Sequence, residues 1–230
     1  MELLKAVYSW AVAEERLDSS PVVNVRPFKE RARDRVLTTD EIKAVWEALA
    51  FEPHGDSIRM LFWSAARRSE VLGATWGEID FRAKTWTIPA DRAKTAEART
   101  VPLSKPALAC LQARREADPK GRWIFPSPVA AVGPLRSLQV PFRRVAARSK
   151  VAGWCLHDIR RTVRTQLAAL GVRPDVGEAV LGHAKPKMVR VYDRHEPVPA
   201  MRAALEAWAR RLEAIVSGAP ETADVLPFVG

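Results

Sequence analysis

The chain has 230 residues, 47% of them hydrophobic and 28% charged, which is enough apolar content to give one or two domains a buried core. Its 37 Lys and Arg against 27 Asp and Glu leave a net charge of +10, which points to a polyanionic partner, nucleic acid foremost. No run of about 18 uncharged apolar residues exists, so no membrane span is expected. The N-terminus carries Glu2, Glu14 and Glu15 and lacks the pattern of a signal peptide. Two cysteines, Cys110 and Cys155, are too few for a disulfide framework or a zinc site, and a reducing cytosol is the simplest compartment.

In chain order, residues 3–16 are expected to be helical, with Leu3, Leu4, Val7, Trp10 and Ala11 at helical spacing. The helix should stop near Asp18-Ser19-Ser20-Pro21, and a polar linker with alternating charge runs to Arg35. Thr38 and Glu41 form a capping-box pattern ahead of a helix through Ile42, Val45, Trp46 and Leu49. A second apolar run, Ile58 to Ala66, leads into Arg67-Arg68-Ser69-Glu70, with Val71, Leu72 and Trp76 continuing as helix. Residues 84–103 change to β-branched alternation, Thr85-Trp86-Thr87-Ile88 and Arg99-Thr100-Val101-Pro102-Leu103. They read as a hairpin or small three-stranded sheet around the polar loop Asp91 to Ala98. Ser104 is placed to cap a helix through Leu108, Leu111 and Ala117. Trp123-Ile124-Phe125 is a short strand candidate. Helices are expected near 136–149, 156–170, 175–181, 187–193 and 199–217, divided by glycines and prolines. The fold class is mostly α with a small antiparallel β-sheet (α+β).

Charge is uneven along this order. Residues 36–81 carry 4 basic and 8 acidic groups, residues 82–122 carry 10 and 4, and residues 123–164 carry 8 basic groups with Asp158 as the one acid. A concentrated excess can line a groove that follows a phosphate backbone and releases its counterions.

Several polar residues could carry chemistry. His157 and Arg160 lie three apart and share one helix face. Leu181-Gly182-His183 follows a helix end, where a C-cap with a polar loop residue is the ordinary reading. Tyr192, one of two tyrosines, stands between Arg190 and Arg194. Arg67 ends an apolar helix beside Ser64, Ala65 and Ala66, and Lys94 lies in the hairpin loop. Singly, each has a plain structural reading. Jointly they match what phosphodiester cleavage requires. Two guanidinium forks can neutralise the non-bridging oxygens. A tyrosine hydroxyl can act as a covalent nucleophile. A lysine can protonate the leaving oxygen, and histidines can relay protons or hold the phosphate. No carboxylate cluster suited to Mg²⁺ is evident, which disfavours a two-metal nuclease.

This set, in this order, resembles the tyrosine recombinase (phage integrase) family over residues 36 to about 217. The box Ser64-Ala65-Ala66-Arg67-Arg68-Ser69-Glu70-Val71-Leu72 resembles the family's first motif, with Arg67 as first catalytic arginine and Glu70 as its acidic support. Lys94, ahead of Val101-Pro102-Leu103, matches the hairpin lysine. His157-Asp158-Ile159-Arg160-Arg161-Thr162 resembles the second box, giving His157, Arg160 and a supporting Asp158. Leu181-Gly182-His183 matches the second histidine, and Tyr192 follows it at the family's nine-residue spacing. Ala65 stands where the family often has glycine.

The resemblance implies a tyrosine recombinase catalytic domain over 36–217, preceded by a linker (21–35) and by the last helix of a truncated core-binding domain (1–20), with a C-terminal tail at 218–230. It implies metal-independent strand cleavage and rejoining through a 3′-phosphotyrosine, with no cofactor. The implied partners are double-stranded DNA, other copies of the chain as a homo-tetramer on DNA (a monomer when free), and a directionality factor. The implied setting is the bacterial cytoplasm. The tail, with Tyr192-Asp193-Arg194-His195, is similar to integrases of genomic islands and prophages. A DNA-binding or integrase-modulating fragment without recombination is the alternative, and a type IB topoisomerase shares the chemistry. Met201, Leu205, Trp208, Leu212 and Ile215 make an apolar stripe that could pack on its own domain or dock on a neighbouring protomer. Val225-Leu226-Pro227-Phe228 could dock in the same way.

Overall fold

The computed structural model describes residues 2–23, 33–129, 133–183 and 197–219. The expected helix at 187–193, Tyr192, most of the 21–35 linker and Val225 to Phe228 lie outside the described residues. The chain divides into two compact units, Met1–Arg33 and Asp34–Gly230.

The first unit contains α1 (Glu2–Ala13). It stops short of the expected residue 16, in a turn where Glu15 takes a left-handed φ of 53°. Leu3, Leu4, Val7 and Trp10 are exposed.

The second unit opens with α2 (Thr39–Leu49). The capping box is formed. Glu41 N–H donates to Thr38 Oγ1 at 3.2 Å, and Thr38 N–H donates to Glu41 Oε2 at 2.9 Å. Ile42, Val45 and Leu49 face inward. The helix α3 (Gly55–Ser64) starts earlier than the sequence suggests and ends at Ala65, which is left-handed at φ 50°. Arg67 therefore stands ahead of a new short helix, α4 (Arg68–Leu72), rather than at the end of an apolar one. Trp76 does not continue that helix and begins a 3-10 turn, Trp76–Glu78.

The sheet has three antiparallel strands in the order β1 (Ile79–Asp80), β2 (Thr85–Ile88), β3 (Arg99–Pro102). Trp86 pairs with Ile79 and with Val101. Alternation sends Trp86, Ile88 and Val101 into the core.

Helix α5 (Lys105–Ala117) has Ser104 at its N-cap, but that hydroxyl makes no cap bond and is buried with no partner among the described residues. Glu206, far along the chain, takes the Lys105 N–H instead, at 3.1 Å. The expected strand at 123–125 is reduced to isolated bridges, Thr75 with Trp123 and Pro126 with Pro134. Pro126, Pro128 and Pro134 have no N–H to extend a ladder.

The described elements after residue 134 are helices: α6 (Gln139–Ser149), α7 (Leu156–Ala169), α8 (Pro174–Leu181) and α9 (Val198–Ser217). The fold is mostly α with one small antiparallel sheet. The stripe on α9 packs on its own unit. Met201, Leu205, Trp208 and Leu212 are buried, Ile215 packs against the core, and Trp208 Nε1 donates to Phe62 O at 2.7 Å. Helix α7 lies against α3 and α8, which brings the ends of three helices to one place. No described helix is long and apolar enough to cross a membrane.

Candidate active site

The site is built on the C-terminus of α8. A helix end leaves carbonyl oxygens without intrahelical partners and concentrates partial negative charge there. Gly182 closes α8 in the left-handed region at φ 60°. Gly182 N–H donates to Ala179 O at 2.9 Å and His183 N–H to Glu178 O at 3.1 Å, the two bonds of a Schellman cap. Three arginines then donate to three successive carbonyls. Arg99 Nη1 reaches Val180 O at 3.1 Å, Arg160 Nη2 bonds to Leu181 O, and Arg67 Nη2 reaches Gly182 O at 3.1 Å. Arg160 Nη1 also bonds to Ala65 O, a carbonyl exposed by the left-handed end of α3.

Glu70 ties the arginines together from α4. It is fully buried. Its Oε2 accepts Arg67 N–H and Arg99 Nη2, each at 2.8 Å, and its Oε1 accepts Arg67 Nη1 at 2.8 Å. Burial opposes ionisation of this carboxyl, but the Arg99 charge, with the bonds from Arg67 and Arg99, holds it below the usual carboxylate range. Burial, reinforced by the Arg67 and Arg99 charges, pushes Arg160 down to about 9. The Arg67 side chain is the more open guanidinium at 18% exposed, while Arg160 is 4% exposed.

His183 is exposed beside this cluster, and its Nδ1 lies 2.5 Å from Glu178 Oε2. Arg164 Nε donates to the other oxygen of Glu178 at 2.9 Å. His157 is exposed on the first turn of α7. Partial burial, then the charges of Arg161, Arg160 and Arg67, lower its pKa from the ordinary value and favour neutral imidazole.

The structure thus gathers Arg67, Glu70, Arg160 and His183 at one helix end, with His157 one turn from Arg160. Asp158 lies on the same first turn of α7. Its Oδ2 caps α7 through Cys155 N–H at 2.8 Å, and its Oδ1 takes Arg161 Nη1 at 2.6 Å. Lys94 lies exposed in the loop between β2 and β3 and forms no hydrogen bond or ion pair among the described residues. Tyr192 is outside them. No group of three or more His, Cys, Asp or Glu among the described residues could hold a metal ion.

Sequence reasoning missed Arg99 and Glu178. Arg99 shares a strand face with Val101 and Leu103, both buried, so the period of two already aimed it inward. Glu178 sits five residues before His183, a spacing that becomes a contact only because Gly182 reverses the chain.

A model of the phage integrase family matches residues 34–197. Prophage integrase IntA of Escherichia coli (strain K12) is 31% identical over 211 residues, covering 88% of this chain and 51% of its own length. The integrase of Salmonella phage P22 is 24% identical over 209 residues, covering 86% and 53%. The chain spans about half the length of the curated relatives it matches. Among solved structures, the integrase from mycobacterium phage Brujita superposes with a TM-score of 0.62 at 19% identity, covering 93% of this chain and 74% of that one. A lambda integrase dimer bound to a COC′ core site gives 0.60 at 21%, covering 82% and 56%. At these identities the structural likeness carries the fold.

Proposed function

Because this chain belongs to the phage integrase family, we propose that it carries the strand-cleaving unit of a site-specific DNA recombinase, with residues 36–217 as its catalytic domain. The observation that supports this most is the convergence of Arg67 and Arg160 on adjacent carbonyls, Gly182 O and Leu181 O. It sets two guanidinium groups side by side next to His183, an arrangement that can grip one phosphate.

In this reading the Tyr192 hydroxyl attacks the scissile phosphorus. Its proton passes to His157, which partial burial and then the neighbouring arginines favour as neutral imidazole able to accept it. Arg67 and Arg160 stabilise the non-bridging oxygens as charge builds on them. His183, oriented by Glu178, hydrogen-bonds the phosphate. The bond to the 5′-oxygen breaks and Lys94 supplies its proton, leaving a 3′-phosphotyrosine and a free 5′-hydroxyl. A second 5′-hydroxyl then attacks and releases the tyrosine. The bond energy is held in the phosphotyrosine throughout. Other copies of the chain as a tetramer on DNA, and a directionality factor, complete the proposal. The integrase structures solved with DNA are consistent with a DNA partner.

A nicked suicide substrate tests it. The wild-type chain should form a covalent protein–DNA adduct and Tyr192→Phe should form none. Equal adducts would remove Tyr192 from the role. Retarded DNA without any covalent product would instead leave a DNA-binding or integrase-modulating chain. Relaxation of supercoiled plasmid without site preference would favour a topoisomerase.

A further inference from the structure

We propose that Arg99 is a positioning residue that neutralises Glu70, so that the charge of Arg67 stays available to the scissile phosphate. This rests on the recombinase reading above.

Arg99 enters from β3 and passes beneath the turn after α8. A Cβ at Gly182 would lie 2.6 Å from Arg99 Cδ and 2.7 Å from its Nη1, so a side chain there would force the guanidinium to shift. The side chain is 6% exposed. Its bonds go to Glu70 Oε2 and Val180 O.

The charges give this placement its meaning. Glu70 is fully buried and bonds to Arg67 through both the backbone N–H and Nη1. Were these two alone, the carboxylate would cancel much of the field that Arg67 presents. With Arg99 bound to the same carboxylate, Arg67 and Arg99 share one acid and leave one positive charge, and Arg160, bonded to the carbonyls of Ala65 and Leu181, adds a second. A phosphodiester carries one negative charge, and the pentacoordinate transition state gathers about two. The surplus therefore matches the transition state better than the bound ground state. Two further charged groups near this cluster, among the described residues, are engaged elsewhere. Arg92, which touches the Glu70 carbonyl, pairs with Glu78, and Glu178 pairs with Arg164 and His183.

The test compares Arg99→Gln, Arg99→Lys, Glu70→Gln and the double variant Arg99→Gln/Glu70→Gln with the wild-type chain on the suicide substrate, with thermal unfolding run on each. Arg99→Gln should slow single-turnover cleavage by about 10- to 100-fold. It should change DNA affinity by less than about threefold and leave its salt dependence unaltered, since no phosphate contact is lost. Removing the unbalanced acid as well should restore part of the rate, so the double variant should cleave faster than Arg99→Gln. Arg99→Lys should fall between wild type and Arg99→Gln. Carboxyl NMR should show Glu70 titrating at higher pH in Arg99→Gln than in wild type. A double variant no faster than Arg99→Gln, or a Glu70 titration that does not move, would overturn the proposal and leave Arg99 as a strut between β3 and α8. If Arg99→Gln unfolds, Arg99→Lys and the double variant carry the same comparison. A wild-type chain that forms no adduct would end the recombinase reading, while the Glu70 titration still decides whether Arg99 neutralises that acid.

Discussion

Replacing Trp208 separates the two uses open to the apolar stripe on α9. The indole is fully buried where α9 meets α3. Its Nε1 donates at 2.7 Å to Phe62 O, one of the last four carbonyls of α3. Ala66 N–H, the next donor in helical register, is turned to Ser64 Oγ, so the indole satisfies a carbonyl that the helix itself does not. Truncation of a buried tryptophan to alanine costs about 3–5 kcal/mol. Trp208→Phe keeps most of the volume and orphans the carbonyl, for about 1–3 kcal/mol. In a unit of this size 1 kcal/mol moves the melting temperature by about 2–4 °C, so Trp208→Ala should lower Tm by roughly 6–20 °C and Trp208→Phe by less. Thermal unfolding of the free chain, followed by circular dichroism at two protein concentrations, reads both. The loss should be the same at each concentration. If Trp208→Ala melted within about 2 °C of wild type at the lower concentration, the packing argument would fail and docking on a neighbour would return.

Glu70→Gln should cost about 3–5 kcal/mol at pH 7, because it strips the acid from buried arginines. The Glu70 pKa is lowered on folding, so its contribution is present above the unfolded value of about 4.3 and is lost as pH falls through the folded value. Urea unfolding curves of the two forms should therefore converge in acid. Gly182→Ala should destabilise by at least about 1–2 kcal/mol from the left-handed backbone alone, with a further loss as the Cβ displaces Arg99, measurable by chemical unfolding. Thr162→Val keeps shape but leaves the buried Leu37 N–H without the acceptor it has at 2.9 Å, and should cost about 1–3 kcal/mol in the same assay.

Local chemistry was readable in the chain itself. Thr38 and Glu41 announce a helix start because both bonds of the capping box close within three residues. Thr85 to Ile88 and Arg99 to Pro102 announce strands because alternation is a property of consecutive side chains. The order of Arg67, Lys94, His157, Arg160, His183 and Tyr192 carried the family resemblance. The tertiary structure decided what those residues rest on. It showed Asp158 as a helix cap, Glu206 in place of Ser104 at the start of α5, and α9 covered by its own unit. It also brought Arg99, a strand residue with no motif of its own, onto the same carboxylate as Arg67. These contacts join groups 29 to 146 residues apart, except for the Asp158 cap and the Arg67–Glu70 pair. Capping and periodicity act over a few residues, so they leave a local trace. A buried charge is balanced by whichever group the fold delivers to it, and that group is named only when the chain has closed.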